Sequence, residues 1–161
     1  MSGFAPLAER YDGFIVDLWG VVHDGVKPYP GVLDCLARLR DTGKKVVFLS
    51  NAPRRPHAIA ATLGAMGIRP NLYSGIMSSG EAVHIGLRDR TDEFAMLGDK
   101  LYHLGPERDR GVFDTLPLQQ VDDPQAADFL LNTGPDDDLG PQDPELYAPV
   151  LKAALQARLP M

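Results

Sequence analysis

The 161-residue chain is poor in cysteine, in positive charge and in long apolar runs. Its one cysteine, Cys35, excludes an internal disulfide framework. No apolar stretch is long enough to cross a bilayer as a helix, so no membrane partner is expected. The opening MSGFAPLAERYDG lacks the charged start and apolar centre of a secretory signal, and a cytoplasmic location is the expectation. Lys and Arg number 16 against 22 Asp and Glu, for a net charge of −6. The basic residues are scattered, with Arg54 and Arg55 the densest local group, so no nucleic-acid partner is expected.

What is present is ordinary for a globular protein: 44% hydrophobic and 24% charged residues, enough chain for one domain or one domain and part of a second. GFIVDLW is a short apolar run of strand-forming residues, broken by the Gly- and Pro-rich DGVKPYPG. GVLDCLARLRDTG sets Val32, Cys35, Leu36 and Leu39 on one helical stripe that Gly43 stops. KKVVFLSN is a second strand with a polar end. RPHAIAATLGAMGI follows as a helix, with Pro56 at its start and Ile59, Leu63 and Met66 on one stripe. SSGEAVHIGLRDR predicts a third helix, capped by Ser78 or Ser79. Strand-helix-strand-helix alternation predicts an α/β fold with a doubly wound parallel sheet, which binds ligands at the carboxyl ends of its strands.

The texture changes near residue 92. LYHLGP, LQQV and ADFLLNTGP read as short strands and PELYAPVLKAALQARL as a closing helix, the beginning of a second α/β unit. The acidic GPDDDLGPQDPE reads as a solvated loop. The expected organisation is therefore residues 1–91 as the first unit and 92–161 as the second.

Asp17 ends the first strand, and an aspartate there is costly to desolvate unless a cation, a metal or a chemical task occupies it. Its carboxylate could attack phosphorus to give an aspartyl-phosphate, or merely turn the chain. Ser50 ends the second strand; its hydroxyl, with the backbone amides around Asn51, could hold phosphate oxygens. Mg²⁺ bridging Asp17 and the phosphate would offset the repulsion between two anions.

The run FIVDLWGVVHDG, then YPGVLDCLARLRDTGKKVVFLSNAPRR, then LGAMGI resembles the haloacid dehalogenase-like (HAD) superfamily. The closer resemblance is to its class IIA phosphatases, which include nitrophenylphosphatase-like and sugar-phosphatase-like proteins. The resemblance implies a Mg²⁺-dependent phosphatase acting on a small phosphate ester. Asp17 is then the nucleophile, Ser50 and Asn51 the phosphate binders, and Asp17 with the Trp19 backbone carbonyl the metal ligands. Asp17 and Ser50 stand 33 positions apart, filled by one turn and one helix. The cap that closes over such sites must therefore follow the third helix, and residues 92–161 are expected to begin a C2-type α/β cap. The implied partners are a small phosphorylated metabolite and, through the cap, a second copy of the chain.

Three departures from the family pattern stand out. The family's second aspartate, which protonates the leaving oxygen, is Trp19 here, either a core filler or a wall of the site. Its loss penalises alkyl phosphates by about 10²–10⁴-fold and aryl or acyl phosphates less. It also keeps two alternatives open: an inactive HAD scaffold, and a dehalogenase-like hydrolase whose halide leaving group needs no acid. Secondly, the family's later Lys and acidic motif are not evident; Gly98, Asp99 and Lys100 imitate them without a second acid one turn on. The chain resembles an N-terminal fragment of the family. Thirdly, His23 and Asp24 lie near enough in sequence to substitute as acid or base, though turn polarity also explains them. His57, His84 and His103 share no ligand spacing and read as structural or surface residues.

Overall fold

A computed structural model describes residues 4–135 and 143–161. The chain divides into two compact units between Ser79 and Gly80. In the first, a short helix α1 (Ala5–Ala8) precedes β1 (Gly13–Asp17), α2 (Val32–Asp41), β2 (Lys45–Ser50), α3 (Pro56–Ala65) and β3 (Gly75–Ser78). The strands are parallel in the order β1-β2-β3, with Ile15 opposite Val47, Asp17 opposite Leu49 and Ser50 opposite Ser78.

A sheet wound in one direction through right-handed crossovers carries its crossover helices on one face. The burial pattern shows this. Phe14, Val16, Val46, Phe48 and Ile76 pack with Leu36 and Leu39 of α2 and Ile59 and Leu63 of α3. The alternate positions of the strands look the other way: Ile15 is 76% exposed, Leu49 50% and Met77 41%. Within the first unit the sheet is thus covered on one side.

The helix signals act as their chemistry requires. Pro56 opens α3, where a missing N–H costs nothing. Gly43 ends α2 with φ +74°, letting its N–H reach the Arg40 carbonyl and the Lys44 N–H reach that of Leu39. Of the α2 stripe, Leu36 and Leu39 are buried, and Val32 and Cys35 half-buried.

The second unit contains α4 (Ser79–Asp89), β4 (Lys100–Leu104), β5 (Gln119–Gln120), β6 (Phe129–Asn132) and α5 (Pro144–Gln156). Its strands are parallel in the order β5-β4-β6, with Leu101 opposite Gln120 and Phe129. Leu87 and Val83 of α4 pack with Leu101, Val112, Phe113 and Phe129. That packing draws α4 into the second unit, so the units divide at 79/80 where the sequence suggested 91/92. Asp143 caps α5 by accepting the Glu145 N–H at 3.0 Å. Most of the acidic loop read from the sequence, residues 136–142, lies outside the described residues.

Candidate active site

Apolar β-branched residues carry β1 and β2 through the sheet, and each strand delivers a polar residue at its carboxyl end. Asp17 is the last residue of β1 and Ser50 the last of β2. The strands are neighbours, and Ser50 lies one position beyond Leu49, the register partner of Asp17. The two candidates therefore sit diagonally across one strand pair, at the end where open parallel sheets bind ligands. Asp17 is exposed, so its carboxylate is solvated and not a buried charge in search of a partner. Its Oδ1 accepts the N–H of Leu18 at 2.7 Å.

Ser50 is half-buried, and its Oγ accepts the Ala52 N–H at 3.3 Å. Asn51 follows in the exposed turn. Two residues not foreseen in this site brace that turn from β3. The Ser78 hydroxyl donates to the Arg54 carbonyl at 2.5 Å, and the Ser79 hydroxyl to the Ala52 carbonyl at 3.0 Å. The two serines, either of which the sequence offered as the helix cap, thus tie the end of β3 and the start of α4 to the loop after β2. The signal lay in the serine pair; its purpose needed the third strand, which the sequence reading did not resolve. Arg54 and Arg55 are half-buried at the entrance to α3.

After Asp17 the chain makes a tight loop. Leu18 and Val22 are buried, and the N–H groups of Val22 and His23 donate to the Leu18 carbonyl at 2.8 and 3.1 Å. Gly20 N–H donates to the His23 carbonyl at 2.9 Å, and Tyr29 N–H to that of Val22 at 3.0 Å. His23 accepts the Gly25 N–H through Nδ1 at 3.0 Å, which leaves Nε2 to carry the ring proton. Asp24 accepts the N–H groups of Lys27 at 2.8 Å and Val26 at 2.9 Å. Those two bonds, Lys27 first, hold its carboxyl below the ordinary aspartate range. Asp24 is therefore engaged in shaping the turn and is charged near neutrality.

Trp19 is not a core filler: between buried Leu18 and the loop it is 73% exposed. Among the described residues no group of three or more His, Cys, Asp or Glu side chains could hold a metal ion. Asp99 pairs with Arg90 at 2.8 Å and Lys100 opens β4, so both act in the architecture of the second unit. The remaining histidines are placed as expected. His57 is exposed, His84 is buried with its Nδ1 donating to the Val112 carbonyl at 2.8 Å, and His103 Nε2 meets Thr133 Oγ1 at 2.8 Å.

Comparison with known proteins gives the family. Residues 14–119 match the family model of haloacid dehalogenase-like hydrolases, and the chain belongs to that family. It is 37% identical over 81 residues to a 4-nitrophenylphosphatase of Schizosaccharomyces pombe, covering 44% of this chain and 26% of that protein. It is 32% identical over 124 residues to the sugar-phosphatase AraL of Bacillus subtilis, covering 74% of this chain and 42% of that one. These are the two kinds of phosphatase that the class IIA resemblance implies. A haloacid dehalogenase-like hydrolase of Brucella suis superposes with a TM-score of 0.83 at 27% identity, over 97% of this chain and 56% of that chain. The chain thus spans less than half the length of either curated relative.

Proposed function

We propose that this chain carries the nucleophile half of a class IIA phosphatase site that hydrolyses a small phosphate ester through an aspartyl-phosphate. The observation that carries the reading is the placement of Asp17 and Ser50 at the carboxyl ends of adjacent parallel strands in a chain of this family. A carboxylate oxygen of Asp17 attacks phosphorus while the bond from phosphorus to the leaving oxygen breaks. Water then attacks the phosphorus of the aspartyl-phosphate, releasing inorganic phosphate and restoring the carboxylate. Of the two protons of that water, one stays on phosphate and the other balances the one the leaving oxygen takes up. The Ser50 hydroxyl and the amides of the Asn51 turn, braced by Ser78 and Ser79, receive the phosphate oxygens. His23 carries a proton at Nε2 and is the acid/base candidate of the loop; Asp24 serves the turn.

The donor set suits Mg²⁺, which takes one or two carboxylates and completes its shell with water and substrate phosphate. Asp17 and the Trp19 carbonyl are the residues that would hold it. The ion supplies neutralisation of charge between carboxylate and phosphate. Two protein ligands make for weak binding to this chain by itself. The second unit is proposed as the start of the cap, with a second copy of the chain as its partner, and the protein as cytoplasmic.

The test is hydrolysis of nitrophenyl phosphate with Mg²⁺ by the wild type and by Asp17→Asn. An amide is a poor nucleophile toward phosphorus, so turnover should vanish in the variant while its far-UV spectrum is unchanged. Turnover that survives the substitution would overturn the reading.

A further inference from the structure

We infer that Trp19 is a specificity-determining residue, a rigid indole platform that seats a planar aromatic leaving group beside Asp17. The inference rests on the phosphatase reading and goes beyond it by assigning the substrate class to one side chain. Tryptophan is the largest apolar side chain and is mostly buried in folded proteins. Here, in a chain with one tryptophan, it stands 73% exposed two residues after the nucleophile. Leu18 between them is buried, while Asp17 and Trp19 are both exposed. Consecutive Cα atoms are about 3.8 Å apart, so those of Asp17 and Trp19 lie within about 7.6 Å of each other. That is the order of the reach from a phosphoryl group to the far side of an aryl ring bonded to it.

Exposure without rigidity would count for little, since lone exposed apolar residues are common. The loop supplies the rigidity. Buried Leu18 and Val22 anchor it on either side of the indole. Six hydrogen bonds already described close it: to the carbonyls of Leu18 and His23, to His23 Nδ1, and to the Asp24 carboxylate. Gly25 lies against the indole: a methyl group at that position would meet Nε1 at 3.4 Å, and its φ of +99° admits glycine. The ring is therefore backed by the loop on one side and open to solvent elsewhere. An aromatic group laid on it gains an offset or edge-to-face ring pair, worth a few-fold to about tenfold in affinity. An alkyl group gains far less.

The sole tryptophan makes the test direct. Acrylamide quenching of Trp19 fluorescence is measured with phenylphosphonate or methylphosphonate present, each with Mg²⁺. Phenylphosphonate should shield the indole and methylphosphonate should not. In parallel, the ratio of kcat/KM for phenyl phosphate over an alkyl phosphate should fall about three- to tenfold in Trp19→Ala and be largely kept in Trp19→Phe. Equal shielding by the two phosphonates, no shielding by either, or an unchanged ratio in Trp19→Ala would each overturn the platform. The dependence of turnover on Asp17 stands apart from these results. If that dependence holds while the platform fails, the phosphatase reading survives; if it is lost, that reading falls on its own test.

Discussion

The one-sided sheet of the first unit makes a sharp energetic prediction about two residues of neighbouring strands. Phe48 is wholly buried on the helix-covered face, with its ring 5.0 Å from that of Tyr73 at 45°. Phe48→Ala removes that burial and leaves a cavity, which costs about 3–5 kcal/mol. Ile15 lies on the opposite face and is 76% exposed. Full burial of an isoleucine side chain is worth about 1.5–3 kcal/mol, so the quarter that is covered here amounts to roughly 0.4–0.7 kcal/mol. Ile15→Thr keeps the β-branched shape and should cost about that much. Urea unfolding followed by circular dichroism separates the two. With a slope of about 1–3 kcal/mol/M, the midpoint should drop by at least about 1 M for Phe48→Ala and by a few tenths for Ile15→Thr. Phe48→Leu, a milder truncation, keeps the comparison measurable if the alanine variant does not fold. Equal losses at the two positions would mean that the Ile15 face is covered in solution, and the one-sided sheet would be refuted.

Three further outcomes follow from the site and its surroundings. Calorimetry should find weak Mg²⁺ binding that Asp17→Ala abolishes; tight binding surviving that substitution would put the ion elsewhere. The Cys35 thiol is pushed up by burial first and by Asp34 second, against Arg38. It should react with a disulfide reagent at pH 7.5 more slowly than a free cysteine and accelerate as the pH rises, whereas a fast reaction would contradict the packing of α2. Because the folded Asp24 carboxyl lies below its usual range, its contribution to the loop is complete above that range and is lost as pH falls through the lowered value. Trp19 fluorescence should therefore change at acid pH in the wild type and not in Asp24→Ala.

Much of the fold was legible because each element carried its own punctuation. Pro56 and Gly43 mark a helix start and a helix stop by backbone chemistry that needs no tertiary context. The stripe of Leu36 and Leu39, and of Ile59 and Leu63, names the core-facing sides of α2 and α3. β3 was not legible: four residues, Gly75 to Ser78, hold two large apolar side chains, too few for any period to show. Nor was the allegiance of α4. Its sequence says helix, but only the packing of Val83 and Leu87 on Leu101 and Phe129 says which unit it joins.

The site divides along the same line between what a residue is and what surrounds it. Asp17 and Ser50 could be read from sequence because a polar residue at the end of an apolar strand stands out by type alone. Trp19 could not, because an indole beside a strand end has the same composition whether it fills a core or faces water. Its neighbours decide the matter. Leu18 and Val22 occupy the buried positions on either side, and Gly25 at φ +99° brings the loop up against the ring. With those places taken, the indole is left outside. The cost of truncating it is then not that of emptying a core, about 3–5 kcal/mol, but that of a largely exposed side chain. Trp19→Asp, which supplies a carboxyl where the family has its acid, should accordingly fold with a urea midpoint close to that of the wild type. It should raise kcat/KM for alkyl phosphates while lowering the preference for aryl ones. A variant that unfolds would show that the loop depends on the indole after all. A folded variant with no gain on alkyl phosphates would show that another group, His23 first, already supplies the proton.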